Sequence, residues 1–283
     1  MKKSKGILVF ARNNGHIDYV EQAVFLAKRV RKYLDLPTSI VTDSVNYLES
    51  TFGTDVFDEI IPIDYVNDEN HRLYFDGSLT QKTANFKNRM RSDAYDVSPY
   101  DETLLLDSDM VICNDMFKSC FDSKNDFLIY QKSEDIAKVR NEIEFHHISD
   151  YGIDFYWATC IFFRKTEENK TFFDLVKHIQ EKWEHYYRTY QLESSLFRND
   201  FAFSIAIHIM NGFQKGSFAA PMPGKLLYTI DKDILWKVKD DELLFLVEKK
   251  DYIGEYTPIR TKGQTVHVMN KFSLSRLIGE LDA

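Results

Sequence analysis

Leu104-Leu105-Leu106-Asp107-Ser108-Asp109-Met110-Val111 runs an unbroken apolar segment straight into two carboxylates. Such a run, bounded by polar residues, suits a strand covered on both faces. In an α/β sheet, strands of this kind deliver ligand-binding groups to a crevice at their ends. Two acids separated by one residue would point to the same side of an extended segment, so both could reach one cation, and the small Ser108 leaves room for it. A hard divalent metal suits that donor pair. The alternative is a strand end whose acids cap the next turn, which Asn114 and Asp115 complete.

The flanking segments alternate between strand and helix patterns. Ile7–Ala11 predicts a first buried strand, Arg12–His16 its loop, and the region of Asp18 the start of a helix with Val20, Ala23, Val24, Ala27, Val30 and Leu34 at helical spacing. Thr38–Asp43 and Glu59–Asp64 predict a second and a third strand. Lys82, Asn85 and Arg89 lie three and four apart, predicting a helix over Lys82–Tyr95 that stacks them on one side. After the acid pair, Phe127–Tyr130 and Phe155–Phe163 read as strands, and Phe172 through Tyr187 as helix covering the sheet. Asn199 or Asp200 caps another apolar helix, and Thr265–Lys271 reads as a short alternating strand centred on His267. Strands alternating with helices imply an α/β fold with a largely parallel, doubly wound sheet.

Bulk properties narrow the function. The 283 residues, 44% hydrophobic, suffice for one large domain with a sizeable core. A net charge of −8 supplies no global field toward nucleic acid, although a local basic groove is compatible with it. Cys113, Cys120 and Cys160 are odd in number and form no Cys-X-X-Cys pair, so a reducing compartment is expected. No apolar run reaches the roughly eighteen residues of a membrane span, and the amino-terminal run is too short for a signal peptide, so a cytoplasmic protein without a membrane anchor is expected.

At Asp107-Ser108-Asp109 the chain resembles the GT-A glycosyltransferases, particularly glycosyltransferase family eight, whose Asp-X-Asp motif follows an apolar strand. The resemblance implies a Rossmann-like, mostly parallel mixed sheet with helices on both faces, in a single domain over 1–283. The donor half would cover 1–115, and the acceptor half, with a metal-binding tail, 116–283. It implies Mn2+ or Mg2+ held by Asp107, Asp109 and His267 against the diphosphate of a nucleotide sugar, with uridine the expected nucleoside. Ala11, Arg12, Asn13 and Asn14, with Thr42 and Asp43, would hold the nucleoside. Lys82, Asn85, Arg89 and Ser108 would contact the donor, and Trp157, Ala158 and Thr159 the sugar. Asp200 would meet sugar or acceptor, and Lys271 the diphosphate, although Lys271 departs from the family's His-X-X-Gly-X-X-Lys spacing. The resemblance leans toward retention of anomeric configuration.

The opening Phe10–Asn14 together with Leu36–Asp43 resembles transferase-like proteins of tailed bacteriophages. That adds a hydroxymethylated DNA base to a glycan as expected acceptor, and the host cytoplasm as location. Two other functions fit the motif. In a haloacid dehalogenase-type phosphatase Asp107 would be the nucleophile, although there the motif sits on the domain's first strand. A catalytically silent nucleotide-binding module is the third.

Overall fold

The computed structural model describes residues 4–64, 70–87, 89–138, 140, 146–148, 152–192 and 194–282. Its centre is a seven-stranded sheet in the order Ala220–Pro221, Phe127–Tyr130, Trp157–Arg164, Glu102–Leu106, Lys5–Phe10, Thr38–Thr42, Glu59–Pro62. Trp157–Arg164 runs against its neighbours, and the remaining strands are parallel to one another. Every residue of Thr38–Thr42, Glu102–Leu106 and Trp157–Arg164 is buried. Burial on both faces explains why Leu104–Leu106 and Cys160–Phe163 read as continuous apolar runs rather than alternating ones.

Helix Tyr19–Tyr33 connects the first two strands and begins where Asp18 accepts a hydrogen bond from the Glu21 amide at 2.9 Å. It packs with the terminal helix Lys271–Asp282, while Glu167–Glu181 packs with Asn199–Met210 and with the turn Arg89–Asp93. Lys5–Phe10 crosses to Thr38–Thr42 on one side of the sheet order, and Glu59–Pro62 crosses back to Glu102–Leu106 on the other. Right-handed crossovers therefore put the two helical layers on opposite faces. The expectation of a mostly parallel mixed sheet flanked by helices is met. No helix among the described residues is long and apolar enough to cross a membrane.

A second, four-stranded sheet joins Met110–Val111, Val266–His267, Leu226–Tyr228 and Ser133–Asp135. Its register sets His267 opposite Met110, one residue from Asp109. A meander of Ile234–Lys239, Glu242–Lys249 and Tyr252–Lys262 backs this region. Its Leu235, Leu243 and Phe245 share a core with Val266, Val268, Leu274 and Ile278, which holds the chain's last quarter in place.

Three local expectations are corrected. The helix expected over Lys82–Tyr95 is instead the second strand of a hairpin, His71–Phe75 with Gln81–Asn85, followed by the turn Arg89–Asp93 and the single helical turn Ala94–Val97; within this range Asn88 lies outside the described residues. Tyr74 and Ala84 bury themselves against Ile17, and this contact overrides the helical spacing. The segment Asp107–Asp109 is not extended, because Met110 N donates to Asp107 O at 3.2 Å and closes a turn. Only Val266–His267 of the expected tail strand is strand, and Lys271 opens the terminal helix, where the Asn270 side chain accepts from Ser273 N at 2.9 Å.

Candidate active site

The turn after Glu102–Leu106 brings both acids to one end of the sheet, and the short strand Val266–His267 brings the imidazole to meet them. Asp109 is 3% exposed at its side chain and His267 is 8% exposed, with His267 Nε2 3.2 Å from Asp109 Oδ2. One ligand atom each from Asp107, Asp109 and His267 lies within 4.8 Å of the others. Two carboxylates and one imidazole at that spacing form a donor set for a hard or borderline divalent cation. Nδ1 of His267 is buried without a hydrogen-bond partner among the described residues, so Nε2 is the nitrogen turned toward the acids. The residues fit a metal of the kind the sequence implies.

Cations surround the acids. Arg91 reaches Asp107 Oδ1 at 2.5 Å and donates its other amino group to the Thr159 carbonyl at 3.0 Å. Lys271 Nζ lies 2.7 Å from Asp109 Oδ2. Burial alone would raise the Asp109 carboxyl, but Lys271 and His267 outweigh it and hold the group well below the usual carboxylate range. Burial pushes the Asp107 carboxyl up despite Arg91 beside it, and the neighbouring Asp109 charge adds to the rise. The environments of the two acids thus push their protonation in opposite directions.

A cavity of about 470 Å³ opens over this cluster. Its walls include Arg12, Ser108, Trp157, Ala158, Thr159, Asp200 and Lys271 from among the residues the sequence singled out, besides Asp107, Asp109 and His267. Trp157 meets the His267 ring edge-on at 6.4 Å. The register against Phe127–Tyr130 shifts between Trp157 and Ile161, and Ala158 N donates to Asp200 Oδ1 at 2.9 Å. An irregularity of this kind re-aims backbone groups, and here it turns the Ala158 amide to Asp200. Asp200 Oδ2 also pairs with Arg198 at 3.1 Å, and Asp200 sits in the first turn of Asn199–Met210.

Other expected residues lie away from the cavity wall. Asn13 accepts from Val20 N at 3.0 Å and donates to Asp18 at 2.9 Å, so it shapes the helix start. Asn14 makes a turn by accepting from His16 N and Ile17 N, and donates to the Asn85 carbonyl at 3.0 Å. Ala11 and Thr42 are buried, and Thr42 Oγ1 accepts from Ser44 N at 3.1 Å. Asp43 stands behind the wall, where Arg12 and Lys87 reach its Oδ2 at 3.2 and 3.3 Å. Burial works against its ionisation, but Ser44, Lys87 and Arg12 hold its carboxyl below the usual range. Lys82 is exposed over the Phe272 ring at 5.3 Å, and Arg89 is exposed at the start of its turn. Lys82, Asn85 and Arg89 therefore do not stack on one side of a helix as expected.

Their place is taken by residues that sequence patterns did not single out: Arg91 and Lys87, with Arg72, Arg198, Asp231 and Lys232 further around the wall. Arg91 lies two positions beyond Arg89, so treating Arg89-Met90-Arg91 as a unit could have found it. Asp231 and Lys232 carry no pattern. They are set by the buried pair of Arg140 and Asp233, 2.7 Å apart, which fixes their loop.

The chain matches no family model and no curated protein sequence. Loose likenesses to solved structures exist. The glycosyltransferase GlyE of Streptococcus pneumoniae is 13% identical at a TM-score of 0.41, with 77% of this chain and 45% of that one covered. The galactosyltransferase LgtC, solved with donor and acceptor sugar analogs, is 14% identical at 0.45, with 76% and 72% covered. Mouse xyloside xylosyltransferase 1 is 9% identical at 0.42, with 74% and 83% covered. The chain thus spans less than half the length of GlyE. All three are glycosyltransferases.

Proposed function

We propose that the chain is a metal-dependent glycosyltransferase that moves a sugar from a nucleoside-diphosphate donor, with uridine the expected nucleoside, to an acceptor hydroxyl. The observation that carries the reading is the convergence of Asp107, Asp109 and His267 within 4.8 Å at the floor of an open cavity bordered by Arg91, Lys271 and Lys87. The acids belong to 1–115, the proposed donor half, and the imidazole to the tail of 116–283, the proposed acceptor half.

The difficult event is departure of a diphosphate with growing negative charge. Mn2+ or Mg2+ held by Asp107, Asp109 and His267 would supply a Lewis acid for that charge. The chain's own cations would do related work: Lys271 and Arg91 stand beside the acids, where their charge would offset that of the phosphate oxygens as the bond breaks. Arg12 and Lys87, anchored on Asp43, border the nucleoside side. Ala158 N and Arg198 orient Asp200, which would receive a sugar or acceptor hydroxyl. Trp157, edge-on to the His267 ring at 6.4 Å, would wall the metal side of the cavity.

The company Asp107 keeps suits a metal ligand better than the nucleophile of a phosphatase, because Asp109 and His267 each offer a ligand atom within 4.8 Å of its own. A panel of nucleotide sugars with Mn2+, run beside glycan and hydroxymethylated-DNA acceptors, tests the proposal. Metal-dependent release of nucleoside diphosphate that rises with one acceptor supports it. Hydrolysis of a generic phosphomonoester with an aspartyl-phosphate intermediate would replace it with the phosphatase.

A further inference from the structure

We propose that Lys271 competes with the metal for Asp109, and that a divalent cation displaces its ammonium toward the diphosphate, so that metal and diphosphate bind cooperatively. The inference rests on the metal-centred function proposed for the same site. Asp109 Oδ2 is the oxygen that faces His267 Nε2, at 3.2 Å, and the same oxygen lies 2.7 Å from Lys271 Nζ. The third ligand of the cluster, Asp107, carries Arg91 at 2.5 Å. Each acid of the candidate metal centre therefore already has a side-chain cation.

Formal charge sets the coupling between the two ligands. Two carboxylates against one ammonium and one guanidinium sum to zero. A divalent cation added alone leaves an excess of two positive charges in a region where the Asp109, Lys271 and Arg91 side chains are 3%, 12% and 7% exposed and Asp107, at 34%, is the most open of the four. Uncompensated charge is unfavourable there. The two negative charges of a nucleotide sugar's diphosphate remove the excess, so each ligand raises the affinity of the other, and reciprocally.

The mobile member of the set is Lys271. Arg91 is pinned by its second bond, to the Thr159 carbonyl at 3.0 Å, whereas the second bond of Lys271 Nζ, to the Met269 carbonyl, is longer at 3.4 Å. Lys271 is the first residue of the terminal helix, and its backbone is fixed because Gln22 Nε2 donates to the Lys271 carbonyl at 2.9 Å and to Ser275 Oγ at 3.0 Å. Only its side chain can swing, within the cavity that it lines.

The test is calorimetric titration of Mn2+, without and with UDP, into wild type, Lys271→Met, Lys271→Gln and Lys271→Arg, each first shown to be folded by circular dichroism. Removing the ammonium should tighten Mn2+ alone at least tenfold, a direction opposite to that of ordinary damage to a site. UDP should tighten Mn2+ strongly for wild type and much less for the two neutral variants, while Lys271→Arg keeps the wild-type pattern. Neutral variants that bind Mn2+ alone no tighter than wild type overturn the inference and leave the metal reading standing. Mn2+ binding absent from all four proteins, even with UDP, overturns both.

Discussion

Replacing Asp109 with Asn keeps the volume of the side chain and removes one charge. Asp109 is 3% exposed, and its Oδ2 meets Lys271 at 2.7 Å and His267 at 3.2 Å. At an effective dielectric of about 20, a unit pair at that nearer distance is worth roughly 6 kcal/mol before desolvation. Most of this offsets the desolvation of the two charges, and breaking a buried pair costs about 3–5 kcal/mol when the orphaned partner stays buried. Lys271 borders a cavity and can turn toward solvent, which brings the expected loss to roughly 1–3 kcal/mol. For a chain of this size that is a fall in Tm of about 2–10 °C. Turnover should fall much further, by roughly 10²–10³-fold, because the Lewis acid that would stabilise the developing charge loses one of its carboxylate ligands. Thermal melting and nucleoside-diphosphate release, measured on one preparation with and without Mn2+, separate the two effects. An Asp109→Asn protein that keeps turnover within tenfold of wild type, or one still stabilised by Mn2+ to the wild-type extent, would refute the reasoning.

Arg91→Lys keeps the charge but cannot hold Asp107 and the Thr159 carbonyl together, so turnover should fall about tenfold or more with Tm lowered by a few degrees; steady-state kinetics and melting check it. Asp200→Ala removes the acceptor of Ala158 N and the partner of Arg198, and the displaced wall should reduce turnover by roughly 10–100-fold while stability falls by about 1–2 kcal/mol. A rise in KM for the acceptor rather than for the donor would locate Asp200 on the acceptor side. Asp43 has a folded-state pKa below its ordinary 3.8, so its stabilising contribution is fully present above that value and is lost as pH falls through the folded pKa. Urea denaturation should therefore show Asp43→Asn less stable than wild type at pH 7, with the gap closing below about pH 3.8.

The central sheet was legible because strands buried on both faces leave an unmistakable apolar trace, as in Leu104–Leu106 and Ile7–Phe10. The acid pair stood out because it breaks that trace. The hairpin His71–Phe75 with Gln81–Asn85 was not legible, since Lys82, Asn85 and Arg89 satisfy a helical spacing by coincidence. What decides against the helix is the contact of Tyr74 and Ala84 with the distant Ile17. His267 and Asp109 are brought together by strands of only two residues, too short for any periodicity, and a family resemblance was the sole pointer to their meeting. Arg91 and Lys87 were missed for a related reason. A cation earns a functional reading from what it faces, and Asp107 and Asp43 face them only once the chain is folded. The turn and helix-start bonds of Asn13 and Asn14 were not legible, because an amide that shapes a turn and one that binds a nucleoside look alike in sequence.

The most direct measurement is the anomalous scattering of a crystal soaked with Mn2+ and a nucleoside diphosphate. The metal reading expects one strong peak in coordination contact with a carboxylate oxygen of Asp107, a carboxylate oxygen of Asp109 and Nε2 of His267. A peak elsewhere in the cavity, or nucleotide bound there with no metal on these three side chains, would contradict it.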